Sequence, residues 1–192
     1  EVIDVRSPSR GYSAASYQVL LYEFKDGINR YLSSLDSSIP YRTLDDLIEF
    51  NRRDSVELRW FGQEIFEAAR EKGSLESKEY KVALERMHQA SRSNGIDRLL
   101  RENNLDALIA PTGSPAWKTD LILGDHFVGG SSSLAAIAGY PAITVPAGFI
   151  EGLPVGISFF GTAWSEPVLI EIAYGYEQAT RHRRPPQFRV SD

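Results

Sequence analysis

The sequence predicts an α/β fold, a mixed sheet flanked by helices, and two observations predict it. Through roughly the first hundred residues, apolar side chains recur at spacings of three and four, the period of a helix with one buried face. Beyond that point, short apolar runs bounded by glycine and proline take over, the mark of buried strands. The 192 residues are 42% hydrophobic, enough for one domain with a sizeable core.

Taken in order, Val2, Ile3 and Val5 predict a short strand ended by Ser7-Pro8 and Gly11. Tyr17, Leu20, Leu21, Phe24, Ile28, Tyr31, Leu32 and Leu35 share one helical face, and Pro40 stops that helix. Thr43, followed by Asp45 and Asp46, is an N-cap with acidic residues in the first turn. The helix it opens carries Leu44, Leu47, Ile48 and Phe50. A short helix over 63–70 follows. Ser77 then caps a longer one with Tyr80, Leu84 and Met87 inward, and Asn94-Gly95 is placed to kink it before Leu99 and Leu100.

The second half opens with a buried strand at 105–110, stopped by Pro111-Thr112-Gly113. Residues 111–129 are irregular. Gly129-Gly130-Ser131-Ser132-Ser133 leads into a helix over 134–138 that ends at Gly139. Strands at 142–145 and 155–160 are joined by a turn over 148–154. Glu166-Pro167 starts the last helix, with Leu169, Ile172, Ala173 and Tyr176 inward, and Pro185-Pro186 closes it. The domain reading is one unit over 1–192, mostly helical over 1–104 and richer in strands over 105–192.

Charge argues against nucleic acid as a partner. There are 21 basic and 26 acidic residues, with both signs scattered, whereas a phosphate-binding protein gathers its basic residues on one face. The one basic cluster, Arg181, Arg183 and Arg184 beside His182, reads as a helix end, where cations complement exposed carbonyls. No apolar run approaches the roughly 20 residues of a membrane span, so no membrane partner is expected. The absence of cysteine fits a cytoplasmic protein. The chain opens inside an apolar, β-branched run without methionine, which suggests a piece of something longer.

Of the candidate chemistry, the serine cluster 131–133 stands out. Two glycines before it and a helix after it would present backbone N–H groups to an anion or a substrate carbonyl, although a serine there serves equally as an N-cap. Asp125-His126 lie close by in sequence. Neighbouring side chains on extended backbone point apart, so Asp125 is badly placed to orient the His126 imidazole toward a serine. No G-x-S-x-G elbow, zinc spacing, phosphate-cradling loop or dinucleotide fingerprint occurs. Trp117 and Trp164 sit in irregular segments, as pocket-lining aromatics often do.

The second half also carries an ordered series of motifs. Leu105-Asp106-Ala107-Leu108-Ile109-Ala110-Pro111-Thr112 is followed by Ala138-Gly139-Tyr140-Pro141-Ala142-Ile143-Thr144-Val145-Pro146-Ala147-Gly148. Gly152-Leu153-Pro154-Val155-Gly156 comes next, then Ala173-Tyr174-Gly175-Tyr176-Glu177-Gln178-Ala179-Thr180 with Arg184-Pro185-Pro186. This order resembles the C-terminal part of amidase-signature enzymes. Leu21-Tyr22-Glu23-Phe24-Lys25, Thr43-Leu44-Asp45-Asp46-Leu47, Phe61-Gly62-Gln63-Glu64 and Gly124-Asp125-His126-Phe127 resemble the peptide-amidase-like branch of that family.

The resemblance implies a parent enzyme that hydrolyses a small amide or a peptide amide without a cofactor. Its serine nucleophile, a second serine in a cis peptide and a lysine base perform acyl transfer while backbone N–H groups hold the oxyanion. In the family those groups precede the motifs seen here, so no catalytic residue is assigned within the chain. The Gly129–Ser133 cluster only superficially resembles the nucleophile segment. One wall of the substrate pocket is expected instead, from Trp117, Asp125, His126, Ser131, Ser132 and Ser133. Alone, the chain should be inactive and should self-associate through apolar surface that the remainder normally covers. The rivals are a non-enzymatic binding or scaffold domain descended from an amidase, and an autonomous serine hydrolase using His126.

Overall fold

The computed structural model describes residues 1–6 and 11–187. The chain divides into two compact units, residues 9–88 and residues 1–8 with 89–192.

The first unit holds α1 (Ser13–Ser34), α2 (Leu44–Arg53), α3 (Glu64–Arg70) and most of α4 (Lys78–Ser91). Its core joins buried Leu21, Leu44, Ile48 and Ala69, with Phe24, Ile28, Phe66 and Ala68 packed against them. The Phe24 and Phe66 rings lie 5.2 Å apart. The face predicted for α1 is wider than the part that is buried: Tyr17, Leu20 and Tyr31 are 45%, 49% and 60% exposed. The physical reason is length, because 22 residues of helix outrun partners of ten and seven.

Several helix ends in this unit are capped by side chains, which satisfy otherwise unpaired backbone groups. Thr43 caps α2 as the sequence indicates, and the structure adds a reciprocal capping box between Thr43 and Asp46. The backbone N–H of Arg42, then the hydroxyl and N–H of Thr43, hold the Asp46 carboxyl below the usual carboxylate range. Arg42 also donates to the carbonyls of Leu32, Leu35 and Asp36 at the end of α1, at 3.1, 2.9 and 2.8 Å. Lys25 Nζ donates to the Arg70 and Lys72 carbonyls at the end of α3, at 2.7 and 2.5 Å. The Ser77 hydroxyl accepts from the Tyr80 N–H at 3.4 Å, realising the expected cap of α4.

Tyr80 is 9% exposed and donates to Glu23 Oε1 at 2.7 Å. Burial first, then that hydrogen bond, push its phenol from 10.0 up to about 12. A raised folded-state value favours the native state fully below the unfolded value of 10.0 and loses that contribution as pH climbs to about 12. Urea midpoints measured from pH 9 to 12 should therefore fall more steeply in the wild type than in Tyr80→Phe. Parallel curves would remove this linkage.

In the second unit the helical path bends through a wide turn, Arg92–Ile96, before α5 (Asp97–Asn103). The bend falls at Gly95, where the sequence expects a kink. Next come β1 (Leu108–Pro111), α6 (Ser132–Ala138), β2 (Ala142–Ile150), β3 (Leu153–Phe160) and α7 (Glu166–Thr180). Arg92 Nε donates to the Ala138 carbonyl at 2.7 Å, and the Tyr140 hydroxyl donates to Asp97 Oδ2 at 3.0 Å. Burial, then Asp97, raise the Tyr140 phenol above its ordinary value.

The α/β class holds, and the sheet has the order β1-β3-β2. Among the described residues every pairing in it is antiparallel, where the sequence suggests a mixed sheet. The reason lies in the β2–β3 connection. Glu151 and Gly152, both in the left-handed region at φ 48° and 80°, make a two-residue hairpin turn, which is shorter than the predicted 148–154 loop. Helix α7 covers one face through Leu169 and Ala173 against Phe159, Ile143, Val145 and Ile157.

Two expectations change. Residues 1–6 form no strand; Val2 is 76% exposed, and among the described residues no strand pairs with the segment. Ser7-Pro8 lie outside the described residues. The basic cluster does more than end a helix: Arg181 is the C-cap of α7, but Arg184 stacks on the Phe149 ring of the hairpin at 4.6 Å.

Candidate functional site

The residues expected to form the pocket wall, Trp117, Asp125, His126 and Ser131 to Ser133, all fall on one stretch, from the end of β1 into α6. Glycine closes the base of this loop. Gly113 and Gly130 form an antiparallel bridge, and the Ser131 N–H donates to the Thr112 carbonyl at 3.2 Å. A Cβ on Gly130 would stand 3.2 Å from the Thr112 carbonyl oxygen, and Gly129 has φ 123°, so both positions favour glycine.

Above the base, Trp117 on the outgoing limb meets Phe127 on the return limb edge-on, with centroids 5.8 Å apart. Asp120 shapes the tip. Its Oδ1 accepts from the Ile122 and Leu123 N–H groups, both at 2.9 Å, and its carbonyl accepts from Gly124 N–H at 3.1 Å. The Leu123 and then the Ile122 N–H hold the Asp120 carboxyl below the usual range. Sequence reasoning missed this residue, although an aspartate four residues before a glycine inside a loop is a turn signal. The tip is apolar and uncovered in the chain, with Ile122 91% and Leu123 87% exposed.

Asp125 and His126 lie exposed on the return limb, just before Phe127 of the aromatic pair. Ser132 and Ser133 are exposed in the first turn of α6. Ser131 behaves differently from a capping serine. Its side chain makes no cap bond, and its Oγ is shielded from solvent without a partner; so is the Oγ of Ser114 on the outgoing limb. The structure thus brings Trp117 to the segment holding His126, and leaves the Ser131 hydroxyl unengaged by any base. Trp164 is 89% exposed in the β3–α7 connection, away from this loop in sequence.

Three further hydroxyls lie at the foot of the loop. Ser158 Oγ is 2.8 Å from both Thr112 Oγ1 and Thr144 Oγ1, and Thr112 Oγ1 donates to Thr144 Oγ1 at 3.4 Å. Pairing of Thr144 with Ser158 and of Ala110 with Ser158 sets this triangle on the sheet face opposite Phe159. On the Phe159 side of the sheet, an apolar cavity of about 370 Å³ is lined by Ile109, Pro111, Pro115, Ile150, Val155 and Ile157. Among the described residues, no group of three or more His, Asp or Glu side chains could hold a metal ion, and no helix is long and apolar enough to cross a membrane.

Sheet, helices and loop together define an α/β scaffold that carries aromatic and hydroxyl groups on one loop and at its foot. The family model for Amidase matches residues 1–170, and the chain belongs to that family. It is 44% identical over 172 residues to a probable amidase of Arabidopsis thaliana, covering 88% of this chain and 30% of that protein. Among solved structures it resembles peptide amidase PAM bound to the competitive inhibitor chymostatin, with TM-score 0.88 and 48% identity over 94% of this chain and 37% of that one. Native peptide amidase from Stenotrophomonas maltophilia gives TM-score 0.86 and 46% identity, covering 97% of this chain and 37% of that one. The chain therefore spans about a third of the length of the relatives it matches.

Proposed function

We propose that this chain is the C-terminal part of an amide hydrolase acting on a small amide or a peptide amide. The attacking serine, the relaying serine and the lysine base belong to polypeptide preceding Glu1. The observation that carries this reading is a ratio: the chain matches peptide amidase over 94% of its own length but only 37% of that enzyme's. Within the chain, the buried Ser131 hydroxyl has no partner that could take its proton, as a nucleophile would need. Residues 1–192 then supply scaffold and one wall of the pocket. Trp117 offers an aromatic surface to the acyl portion of the substrate, while Asp125, His126 and the serines 131–133 offer polar contacts. The apolar residues exposed at the loop tip and along α1 make self-association of the separate chain the expected behaviour.

Ammonia release from a peptide amide tests the reading. The longer protein should turn over, and the 192-residue chain alone should stay at the uncatalysed rate. In the longer protein, Trp117→Ala and Asp125→Asn should change the ratio of kcat/KM between a bulky and a small amide by about tenfold, roughly the worth of one good pocket contact. Turnover by the chain itself, or an unchanged ratio, would overturn the assignment it addresses.

A further inference from the structure

Residues 114–129 hold neither helix nor strand, and ordering so long a loop costs backbone entropy that its own contacts must offset. The glycine bridge secures only the base, and the tip supplies the rest. Asp120 Oδ1 accepts from the Ile122 and Leu123 N–H groups at 2.9 Å, and its carbonyl accepts from Gly124 N–H at 3.1 Å. Gly124, at φ 83°, completes the reversal. On the return limb the Phe127 N–H donates to the Asp125 carbonyl at 2.9 Å, a second tight turn. Trp117 stands three residues before Asp120, and Phe127 three after Gly124, so the reversal between them is what sets one ring against the other. Every donor at the tip is a backbone N–H, and a charged acceptor makes the stronger class of hydrogen bond. One exposed carboxylate thus organises the loop.

We propose that Asp120 is a positioning residue: its carboxylate holds the tip turn that brings Trp117 against Phe127, and through that pair keeps the loop preformed for substrate. The inference rests on the proposed amidase reading, in which Trp117 faces the acyl portion, and adds the group that sets Trp117 in place. Asp120 acts through the aromatic pair, not on the reacting atoms. A surface that is correctly formed in only a fraction of molecules binds more weakly by that fraction, while the reaction of bound substrate is untouched. Loss of the carboxylate therefore belongs in KM, not in kcat.

The test uses two readouts on the longer protein. Lys118 is the only lysine or arginine between Arg101 and Arg181, so limited tryptic cleavage after it, read by mass spectrometry, reports how often this loop opens. Asp120→Ala should speed that cleavage about tenfold, the worth of one hydrogen bond to a charged group. Asp120→Asn, whose Oδ1 can accept the same two N–H groups, should recover most of the protection. With a bulky amide, Asp120→Ala should raise KM about 3- to 10-fold and leave kcat within about twofold. In a Trp117→Ala background the same change should add little to KM, because the two residues act as one unit. Unchanged cleavage, a fall in kcat in place of a rise in KM, no recovery in Asp120→Asn, or full additivity with Trp117→Ala would each overturn the inference. Turnover with KM unmoved would sink this inference alone. Absent turnover, with cleavage still faster in Asp120→Ala, would sink the amidase reading and leave the role of the turn standing.

Discussion

Leu169→Ala is expected to cost the chain about 2–5 kcal/mol, a large part of the stability of an ordinary domain. Leu169 is 1% exposed and sits with Phe159 and Ala173 at the centre of the α7–sheet contact. Truncation removes the burial of most of a leucine side chain and leaves a void between stiff neighbours, Ile143, Val145 and Ile157. Collapse into that void is hindered because β3 is held on both sides, by β1 and by β2. Urea unfolding should show a lower midpoint at an unchanged slope. A loss under about 1 kcal/mol would mean that the helix and sheet adjust freely, contrary to this packing. The consequence reaches the foot of the loop, since the strand that α7 braces through Phe159 presents Ser158 on its other face.

Gly95→Ala is expected to destabilise by about 1–3 kcal/mol, the range for forcing an atom into a filled space. The added Cβ would stand 2.8 Å from the carbonyl oxygen of Ala90. That oxygen is backbone and cannot swing aside as a side chain would, so the wide turn itself must distort. Gly27 in α1 gives the control, because nothing lies within 4 Å of a Cβ there. Gly27→Ala should stabilise by about 0.5–1 kcal/mol, the ordinary helix preference of alanine over glycine. The same substitution with opposite signs at a glycine on the bend and a glycine inside α1 is a sharp expectation, and thermal unfolding of both variants checks it. Equal effects would show that propensity, not contact, governs Gly95.

The helices were the most legible part of the sequence because their signals are local. Thr43 with Asp46, Ser77, Gly95 and Gly139 each mark an end or bend through the backbone geometry of a few residues, and the structure puts each where expected. The segment Val2 to Val5 failed for the opposite reason: strand propensity does nothing without a hydrogen-bonding neighbour, which sequence does not display. Strand lengths were underestimated at the hairpin because Glu151, a residue with no special turn preference, takes the left-handed conformation beside Gly152. In the site, the loop and its aromatic member Trp117 could be read from composition. Its closure by Gly113 and Gly130, the shaping role of Asp120 and the pairing of Trp117 with Phe127 depend on contacts across the loop. The hydroxyl triangle was hidden most deeply, since Thr112, Thr144 and Ser158 come from three segments and acquire meaning only through strand register.

The central claim is that these residues bind and support while others perform the chemistry. Its most direct test is to acylate or phosphonylate the longer protein with a serine-directed amidase inactivator and to locate the adduct by peptide mass spectrometry. The modified serine should map to sequence before Glu1, with residues 1–192 unlabelled. An adduct on Ser131, Ser132 or Ser133 that forms as activity is lost would place the nucleophile inside this chain and contradict the account.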